Sequence, residues 1–217
     1  MTSPFRLVVL ISGSGSNLQA FIDRIDDGTL PATIAAVISN RPGVAGLERA
    51  TRAGIATQVV DHRGYPDRES FDAALADAVD AHRPDAVILA GFMRILTPAF
   101  VRRFHGRLLN VHPSLLPKYP GLDTHARAIA AGDAVHGSSV HFVTEELDGG
   151  PVVAQACVPV LPGDSADTLR ARVQQAEHRL YPQVVSWLAG GRLQLQASGV
   201  TLDGKPLVRP VMDPPPT

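Results

Sequence analysis

The sequence contains very little cysteine, few aromatic residues and almost no net charge. Its single cysteine, Cys157, cannot form a disulfide within the chain, so a reducing, cytoplasmic location is expected. The formal net charge is −1, from 20 Lys and Arg against 21 Asp and Glu. A chain this close to neutrality has no broad positive surface for nucleic acid or an anionic membrane. We therefore predict no nucleic-acid partner and no membrane partner, and expect any bound anion to be held by local groups.

Long apolar runs, targeting signals and metal-binding motifs are also missing. No apolar stretch approaches the roughly 18 residues that a membrane-spanning helix needs. The short apolar run near the N-terminus leads into a Gly/Ser turn without a signal-peptide cleavage pattern. The motifs His-Glu-x-x-His and Cys-x-x-Cys do not occur. We therefore predict that the protein binds no metal.

The first half of the chain alternates short β-branched runs with segments of helical periodicity. Strands are predicted at residues 7–11, 33–38, 57–60 and 86–90, and helices at 17–26, 43–53 and 67–82. A repeating order of strand and helix implies right-handed crossovers and a parallel sheet. The predicted fold class is α/β, with an open, mostly parallel, Rossmann-like sheet and helices on both faces.

The second half has a different pattern. A further sheet strand at residues 108–111 leads into a Pro- and Gly-rich loop at 112–123. Two longer strands at 138–144 and 152–160 are predicted to form an antiparallel pair that extends the sheet. A helix over 165–189, bent at Pro182, follows. We predict one domain over residues 1–204, with halves at 1–105 and 106–204, and a loose Pro-rich tail at 205–217, where five of thirteen residues are proline.

A glycine-rich loop, Ser-Gly-Ser-Gly-Ser-Asn at residues 12–17, lies between the first strand and the first helix. A helix N-terminus at this edge of a parallel sheet offers unpaired N–H groups to a phosphate. Leu18 stands where a dinucleotide-binding loop needs its third glycine, and Gly-Lys-Ser/Thr is absent. The loop therefore predicts a site for a single phosphate ester. A tight turn that binds no ligand is the alternative, and the loop alone does not separate the two.

Asn110, His112 and Asp148 form the candidate catalytic group. Asn110 and His112 are two positions apart at the end of a strand, so they project to the same side and towards the edge that carries the glycine loop. Asp148 lies in a Gly/Pro-rich turn that could fold back over them. A carboxylate favours the charged form of a neighbouring imidazole and fixes its tautomer, and an amide can donate to an oxyanion. In the alternative, His112 caps a strand and Asp148 shapes a turn.

No side chain fits the role of an acyl-enzyme nucleophile. Ser114 is close to His112 in sequence but lacks the Gly-x-Ser-x-Gly elbow. Cys157 lies in an apolar strand and is expected to fill the core. The pattern therefore favours direct transfer of an acyl group to an amine of a second substrate, with His112 as general acid or base.

Longer motifs surround these candidates. They are residues 110–121 (NVHPSLLPKYPG), 11–18 (ISGSGSNL), 90–96 (AGFMRIL), 136–143 (HGSSVHFV) and 146–151 (ELDGGP). Together they resemble the phosphoribosylglycinamide formyltransferase family, and the resemblance extends over residues 7–195. The Asn-x-His-Pro-Ser-Leu-Leu-Pro core is typical of folate-dependent formyl transfer in general. Lys-Tyr-Pro-Gly together with Gly-x-Gly-Ser-Asn narrows the resemblance to enzymes acting on glycinamide ribonucleotide.

The resemblance implies a formyltransferase fold, a reaction and a set of site residues. The formyl group of 10-formyltetrahydrofolate, a co-substrate, would pass to the amine of glycinamide ribonucleotide in purine biosynthesis, through a tetrahedral intermediate. The implied catalytic residues are Asn110, His112 and Asp148; the implied ribonucleotide-binding residues are Gly15, Ser16, Asn17 and Glu177; the implied folate-binding residues are Arg68, Met93, Arg94, Ile95, Leu96, Asn110, Thr144, Glu145, Glu146, Leu147 and Asp148. Residues 1–105 would then hold the nucleotide phosphate, and residues 106–204 the catalytic and folate groups. Ala176 departs from the family pattern, which has a polar residue beside Glu177. The partners would be these two small molecules, and a homodimer remains open.

Three other functions would use part of the same sequence pattern. A methionyl-tRNA formyltransferase shares the Ser-Leu-Leu-Pro core but is expected to carry a further C-terminal domain and a basic surface for tRNA. A formyltetrahydrofolate hydrolase is expected to carry an added N-terminal regulatory domain, whereas the first strand here begins by Leu7. A non-catalytic nucleotide-binding module would use the glycine loop alone, and the presence of Asn110, His112 and Asp148 argues against it.

Overall fold

The chain divides into two units, Met1–Asn110 and Val111–Thr217. The computed structural model describes residues 4–213, so the last four residues of the predicted tail lie outside the described part. Among the described residues, none of the helices combines the length and the apolar character that crossing a membrane requires.

The first unit is a parallel sheet with connecting helices. Its elements are β1 (Phe5–Ile11), α1 (Ser16–Asp26), β2 (Ala32–Ser39), α2 (Ala45–Arg52), β3 (Thr57–Val59), a 3-10 turn (His62–Gly64), α3 (Arg68–Ala81), β4 (Ala86–Leu89), α4 (Pro98–Arg103) and β5 (Leu108–His112), whose last two residues belong to the second unit. The strand order is β5-β4-β1-β2-β3, and every pairing is parallel. The carboxyl ends of β1, β4 and β5 therefore meet at one edge of the sheet.

Apolar periodicity explains these elements. The five residues of β1 from Leu7 onwards are fully buried, as expected for a strand covered on both faces. Helix α1 buries Leu18, Phe21 and Ile22, one apolar stripe of its surface. Helix α3 begins where the Asp67 carboxylate accepts a hydrogen bond from the Ser70 N–H. The loops at the carboxyl edge are thus connected to a rigid, buried sheet.

The second unit contains antiparallel strands and one long helix. Its elements are α5 (Thr124–Ala130), β6 (Val135–Phe142), β7 (Val152–Pro159), α6 (Ala166–Ala189), β8 (Leu193–Gln196), β9 (Gly199–Leu202), β10 (Lys205–Pro206) and β11 (Val211–Asp213). Strands β6 and β7 pair antiparallel, and α6 packs against both. Helix α6 starts with a capping box at Ser165, continues through Pro182 and buries most of its apolar residues.

The predicted fold class is confirmed: the protein is α/β, with a mostly parallel sheet and additional antiparallel strands. The prediction of a loose tail from Lys205 is wrong for residues 205–213, the part that the structure describes. Strand β10 pairs with β9, and β11 joins β7 as a parallel edge strand. Proline is tolerated in such short edge strands because one side of the backbone needs no ladder partner. Helices α4 and α5 were also missed, since six or seven residues are too few to establish a helical period.

Candidate active site

The glycine loop forms a tight connection between β1 and α1. Gly15, the residue before α1, has φ 70°, a left-handed conformation that favours glycine. Asn17 is buried and Ser16 is half-buried in the first turn of the helix. The first N–H groups of a helix have no acceptor within it, which suits them to hold an anion. The structure therefore places Gly15, Ser16 and Asn17 where a phosphate site is expected.

Helix α2 packs against this loop and forms hydrogen bonds with its backbone, a contact that the sequence did not predict. The Gly46 N–H donates to the Gly13 carbonyl over 3.0 Å, and a Cβ added at Gly15 would lie 2.7 Å from the Gly46 Cα. Arg49 Nε donates to the Ser14 carbonyl over 2.8 Å. The sequence offered one signal, Gly46 within the helix predicted at 43–53. A glycine inside a helix lowers stability, so its presence there indicates close packing against another segment.

The segment after β4 carries four of the predicted folate-binding residues. Gly91 has φ 73°, and the Met93 and Ile95 side chains that follow are 66% and 56% exposed. The Arg94 guanidinium lies over the Phe71 ring, 5.2 Å from its centroid. Leu96, next along the segment, is half-buried. The segment thus offers its backbone and two exposed apolar side chains to a flat ligand.

Arg68 lies at the start of α3, four residues before the buried Asp72. Burial raises the pKa of the Asp72 carboxyl, and the positive charges of Arg68 and Arg94 partly offset that rise. Both arginines act electrostatically on the Asp72 carboxylate. A folate site shared by Arg68 and the segment after β4 remains a prediction.

Hydrogen-bond acceptors flank both ring nitrogens of His112. The side chain is buried at the end of β5, with a residue exposure of 6%. Its Nε2 donates to the Tyr119 carbonyl over 2.8 Å, and its Nδ1 lies 3.4 Å from Asp148 Oδ2. A carbonyl and a carboxylate only accept, whereas imidazolium has two N–H donors. The two acceptors hold the His112 ring in one orientation at the end of β5.

Asp148 is held in a strained turn by several partners. Its Oδ2 accepts a hydrogen bond from the Gly121 N–H over 2.9 Å, and its Oδ1 lies 3.8 Å from His141 Nε2. Burial lowers the pKa of His141, so that imidazole is neutral near pH 7. Asp148 has φ 53°, a left-handed conformation that costs of order 1 kcal/mol for a non-glycine residue. A strained residue aimed at a histidine is a recurring feature of functional sites.

The remaining candidates lie on defined elements. Asn110 is half-buried on β5, in register with Leu89, and it shares a strand face with His112. Residues Thr144, Glu145, Glu146 and Leu147 form the turn before Asp148, and the last three of these are exposed. Glu177 is buried on α6 with an exposure of 5%, next to the buried Ala176. The binding roles of these residues remain predictions.

Comparison with known proteins identifies the family. Residues 5–185 match a protein-family model described as formyl transferase. The chain belongs to this family. It is 56% identical over 201 residues to the phosphoribosylglycinamide formyltransferase of Escherichia coli (strain K12), covering 93% of this chain and 95% of that protein. Its identity to the Haemophilus influenzae enzyme of the same name is 48% over 202 residues, with the same two shares covered.

A solved structure shows the same relationship. The phosphoribosylglycinamide formyltransferase of Coxiella burnetii superposes with a TM-score of 0.93 at 49% identity, covering 98% of this chain and all of that one. The resemblance read from the motifs is thereby confirmed, and so is the formyltransferase fold.

Neither Ser114 nor Cys157 has the surroundings of a nucleophile. The Ser114 hydroxyl donates to the Lys118 carbonyl over 2.6 Å, which fixes the loop after β5. Cys157 is half-buried on β7, and burial raises the pKa of its thiol. Neither residue has the activated environment of a nucleophile. In the part of the chain that the structure describes, no three His, Cys, Asp or Glu side chains lie together in a way that could hold a metal ion.

Two buried histidines predict acid sensitivity in the second unit of this formyl transferase. The His125 and His136 rings meet edge to face, 5.2 Å between centroids. Burial lowers the pKa of His125 to about 4 and lowers that of His136 as well. Both folded-state values lie below the unfolded value of 6.5, so these residues stabilise the fold above pH 6.5 and lose that contribution as the pH falls towards 4. For His125 the loss is up to about 3 kcal/mol.

Urea unfolding between pH 7.5 and 4.5 tests this expectation. The wild-type midpoint should fall steeply below pH 6.5, and His125→Gln should flatten that dependence. Carboxylates with a lowered pKa, such as Asp164 beside Arg172, act mainly below about pH 4. His141, whose pKa burial lowers, and Asp72, whose pKa burial raises, also act in this window, but they are the same in both proteins, so the difference between the two curves reports on His125. A pH dependence that is the same in both proteins would contradict the assignment to His125.

Proposed function

We propose that this chain transfers the formyl group of 10-formyltetrahydrofolate to the amine of glycinamide ribonucleotide in de novo purine biosynthesis. The observation that carries the proposal is the 56% identity, over nearly the full length of both proteins, to the Escherichia coli phosphoribosylglycinamide formyltransferase. The arrangement of His112 and Asp148 supports it, because it places an imidazole beside a carboxylate at the end of β5.

The proposed chemistry begins when the amine of the ribonucleotide attacks the formyl carbon. The carbonyl π-bond breaks, and the oxygen of the resulting tetrahedral intermediate carries the negative charge. The Asn110 amide and the protonated His112 donate to that oxygen, and Asp148 stabilises the positive charge on His112. The partners of His112 on both sides hold its ring in place, and its Nε2–H would pass from the Tyr119 carbonyl to the oxyanion.

Collapse of the intermediate breaks the bond between the formyl carbon and the folate nitrogen. The attacking amine loses a proton and the departing folate nitrogen gains one, so the overall transfer needs no net acid or base. His112 is the group best placed to pass that proton. Its Nε2–H is engaged by the Tyr119 carbonyl, so proton donation from Nε2 requires that hydrogen bond to be exchanged for one to the substrate.

The substrates are proposed to bind on separate sets of residues. Gly15, Ser16 and Asn17 would hold the ribonucleotide phosphate, and Glu177 would bond to its ribose or glycinamide part. The formyl folate would bind to Arg68, to the backbone and exposed side chains of residues 93–96, to Asn110 and to residues 144–148. The structural support is the helix start at Gly15 and the exposed Met93 and Ile95.

Further sequence predictions stay within this proposal. We propose one formyltransferase domain with a nucleotide phosphate-binding half at 1–105 and a catalytic, folate-binding half at 106–204, which strands β10 and β11 extend past residue 204. We also propose small-molecule partners only, catalysis without metal and a cytoplasmic location. The proposal requires no partner subunit, and a homodimer is compatible with it.

An absorbance assay of folate deformylation tests the proposed reaction. Purified protein is given 10-formyltetrahydrofolate with and without glycinamide ribonucleotide. Turnover that depends on the ribonucleotide is the expected result, because the acceptor amine is the nucleophile. Equal deformylation without the ribonucleotide would replace the proposal with a hydrolase. Binding of the ribonucleotide without any turnover would replace it with a nucleotide-binding module.

A further inference from the structure

The folate-binding segment after β4 is anchored at both ends by side chains from other elements. At its start, the Met93 N–H donates to Ser12 Oγ over 2.8 Å. At its end, the Thr97 N–H donates to Asp72 Oδ2 over 2.5 Å. The predicted folate-binding residues 93–96 lie between these two bonds. Neither Ser12 nor Asp72 is among the residues assigned to a substrate.

Only two of the four side chains in this segment, Arg94 and Leu96, pack against the rest of the protein. Met93 and Ile95 are mostly exposed, so they provide few of the apolar contacts that normally hold a loop in place. A flat heterocycle that forms hydrogen bonds with backbone N–H and C=O groups binds well only if those groups are held at fixed positions. The two anchoring hydrogen bonds fix the backbone at the ends of the segment, in addition to the packing of Arg94 and Leu96.

Ser12 is itself held in a single orientation. It is buried at the end of β1, where its N–H donates to the Gly91 carbonyl over 3.1 Å. Its hydroxyl donates to Asn40 Oδ1 over 2.6 Å. A hydroxyl has one proton, so with that proton on Asn40 its lone pairs are directed to the Met93 N–H. Ser12 also begins the glycine loop, so it joins the proposed phosphate site to the proposed folate site.

Asp72 lies where a carboxylate lowers the stability of the fold. Its exposure is 2%, and its Oδ1 has no hydrogen-bond partner among residues 4–213. A buried carboxylate with one unsatisfied oxygen costs stability, so its presence needs another reason. Its bond to the Thr97 N–H supplies one.

We propose that Ser12 and Asp72 are positioning residues for the formyl donor, which fix the backbone of residues 93–96 from its two ends. The inference rests on the proposed function, since it takes that segment as part of the folate site. Neither residue needs to touch either substrate. Their loss should therefore weaken donor binding rather than slow the chemical step.

Steady-state kinetics of four variants test this assignment. Ser12→Ala and Asp72→Ala each remove one anchoring bond and should raise KM for 10-formyltetrahydrofolate about fivefold to tenfold, the typical effect of one buried hydrogen bond. Their kcat should stay within about twofold, since the catalytic groups are untouched. Asp72→Asn keeps an oxygen that accepts from Thr97 and should retain the wild-type KM.

Ser39→Ala is the matched control. Ser39 is a fully buried serine at the end of the neighbouring β2, and its hydroxyl bonds only within its own turn, to the carbonyl and N–H of Arg41 at 2.7 and 3.0 Å. It should lose a similar amount of stability without a change in KM. A rise in KM as large as that of Ser12→Ala would overturn the proposal, because the effect would then be a general one.

Calorimetric titration with tetrahydrofolate tests the positioning role separately from the proposed function. Weaker binding by Ser12→Ala and Asp72→Ala than by the wild type supports the positioning role. Equal binding by all variants overturns that role and leaves the proposed function standing. Absence of binding and of turnover in the wild type overturns both. If Asp72→Ala does not fold, Ser12→Ala alone decides, with Asp72→Asn expected to behave as the wild type.

Discussion

Replacing His112 by alanine is expected to lower kcat by a factor of about 10²–10⁴ without abolishing turnover. The substitution removes the only charged donor that we assign to the oxyanion, and with it the group best placed to move a proton. It leaves the Asn110 amide and the substrate-binding residues unchanged. Holding two reactants together contributes much of the acceleration in bimolecular reactions, so some activity should remain.

The measurement is single-turnover kinetics at saturating concentrations of both substrates, paired with thermal unfolding. His112 is buried and bonds to the Tyr119 carbonyl, so the variant should also lose some stability. His105→Ala removes an exposed imidazole of the first unit and should change neither quantity. Turnover by His112→Ala at the wild-type rate would show that the residue only caps β5, the alternative left open by the sequence.

The parallel sheet was predictable because its signal is local. Fully apolar, β-branched runs such as those of β1 and β4 have few other structures open to them, and the intervening amphipathic stripes specify crossover helices. The last strands of the described chain were harder to predict. Strand β11 is three residues long and contains no alternation that separates it from a coil, so its pairing with β7 depends on tertiary context.

The candidate site was partly predictable for a similar reason. The two-residue period of a strand is enough to predict that Asn110 and His112 share a face, and the glycine loop is enough to predict the start of a helix. Contacts between distant segments carry no such signal. Nothing in the sequence around Ser12 or Asp72 indicates that their side chains accept hydrogen bonds from Met93 and Thr97, because those bonds depend on how separate loops meet at the sheet edge.

Replacing Asp148 by asparagine is expected to lower kcat by a factor of about 10²–10⁴, as does loss of the carboxylate partner in other histidine-based sites. Asparagine has the same size and tolerates a positive φ, so the turn at φ 53° should persist. Its amide oxygen can take the place of Oδ2, which accepts from the Gly121 N–H and lies beside His112 Nδ1, and its NH₂ group then lies on the side of His141. The amide oxygen carries no full negative charge, so the variant loses the electrostatic support that we propose for a protonated His112 during the reaction.

The matched control is Asp203→Asn. Asp203 also has φ 53°, but it lies in the exposed turn between β9 and β10 and pairs with Arg192. The same chemical change in the same backbone conformation should leave kcat unchanged there. A large loss at Asp148 with none at Asp203 would mean that the charge beside His112 is what the reaction needs. Wild-type kcat in both variants would mean that Asp148 serves the turn alone, and that Asn110 and His112 stabilise the oxyanion without it.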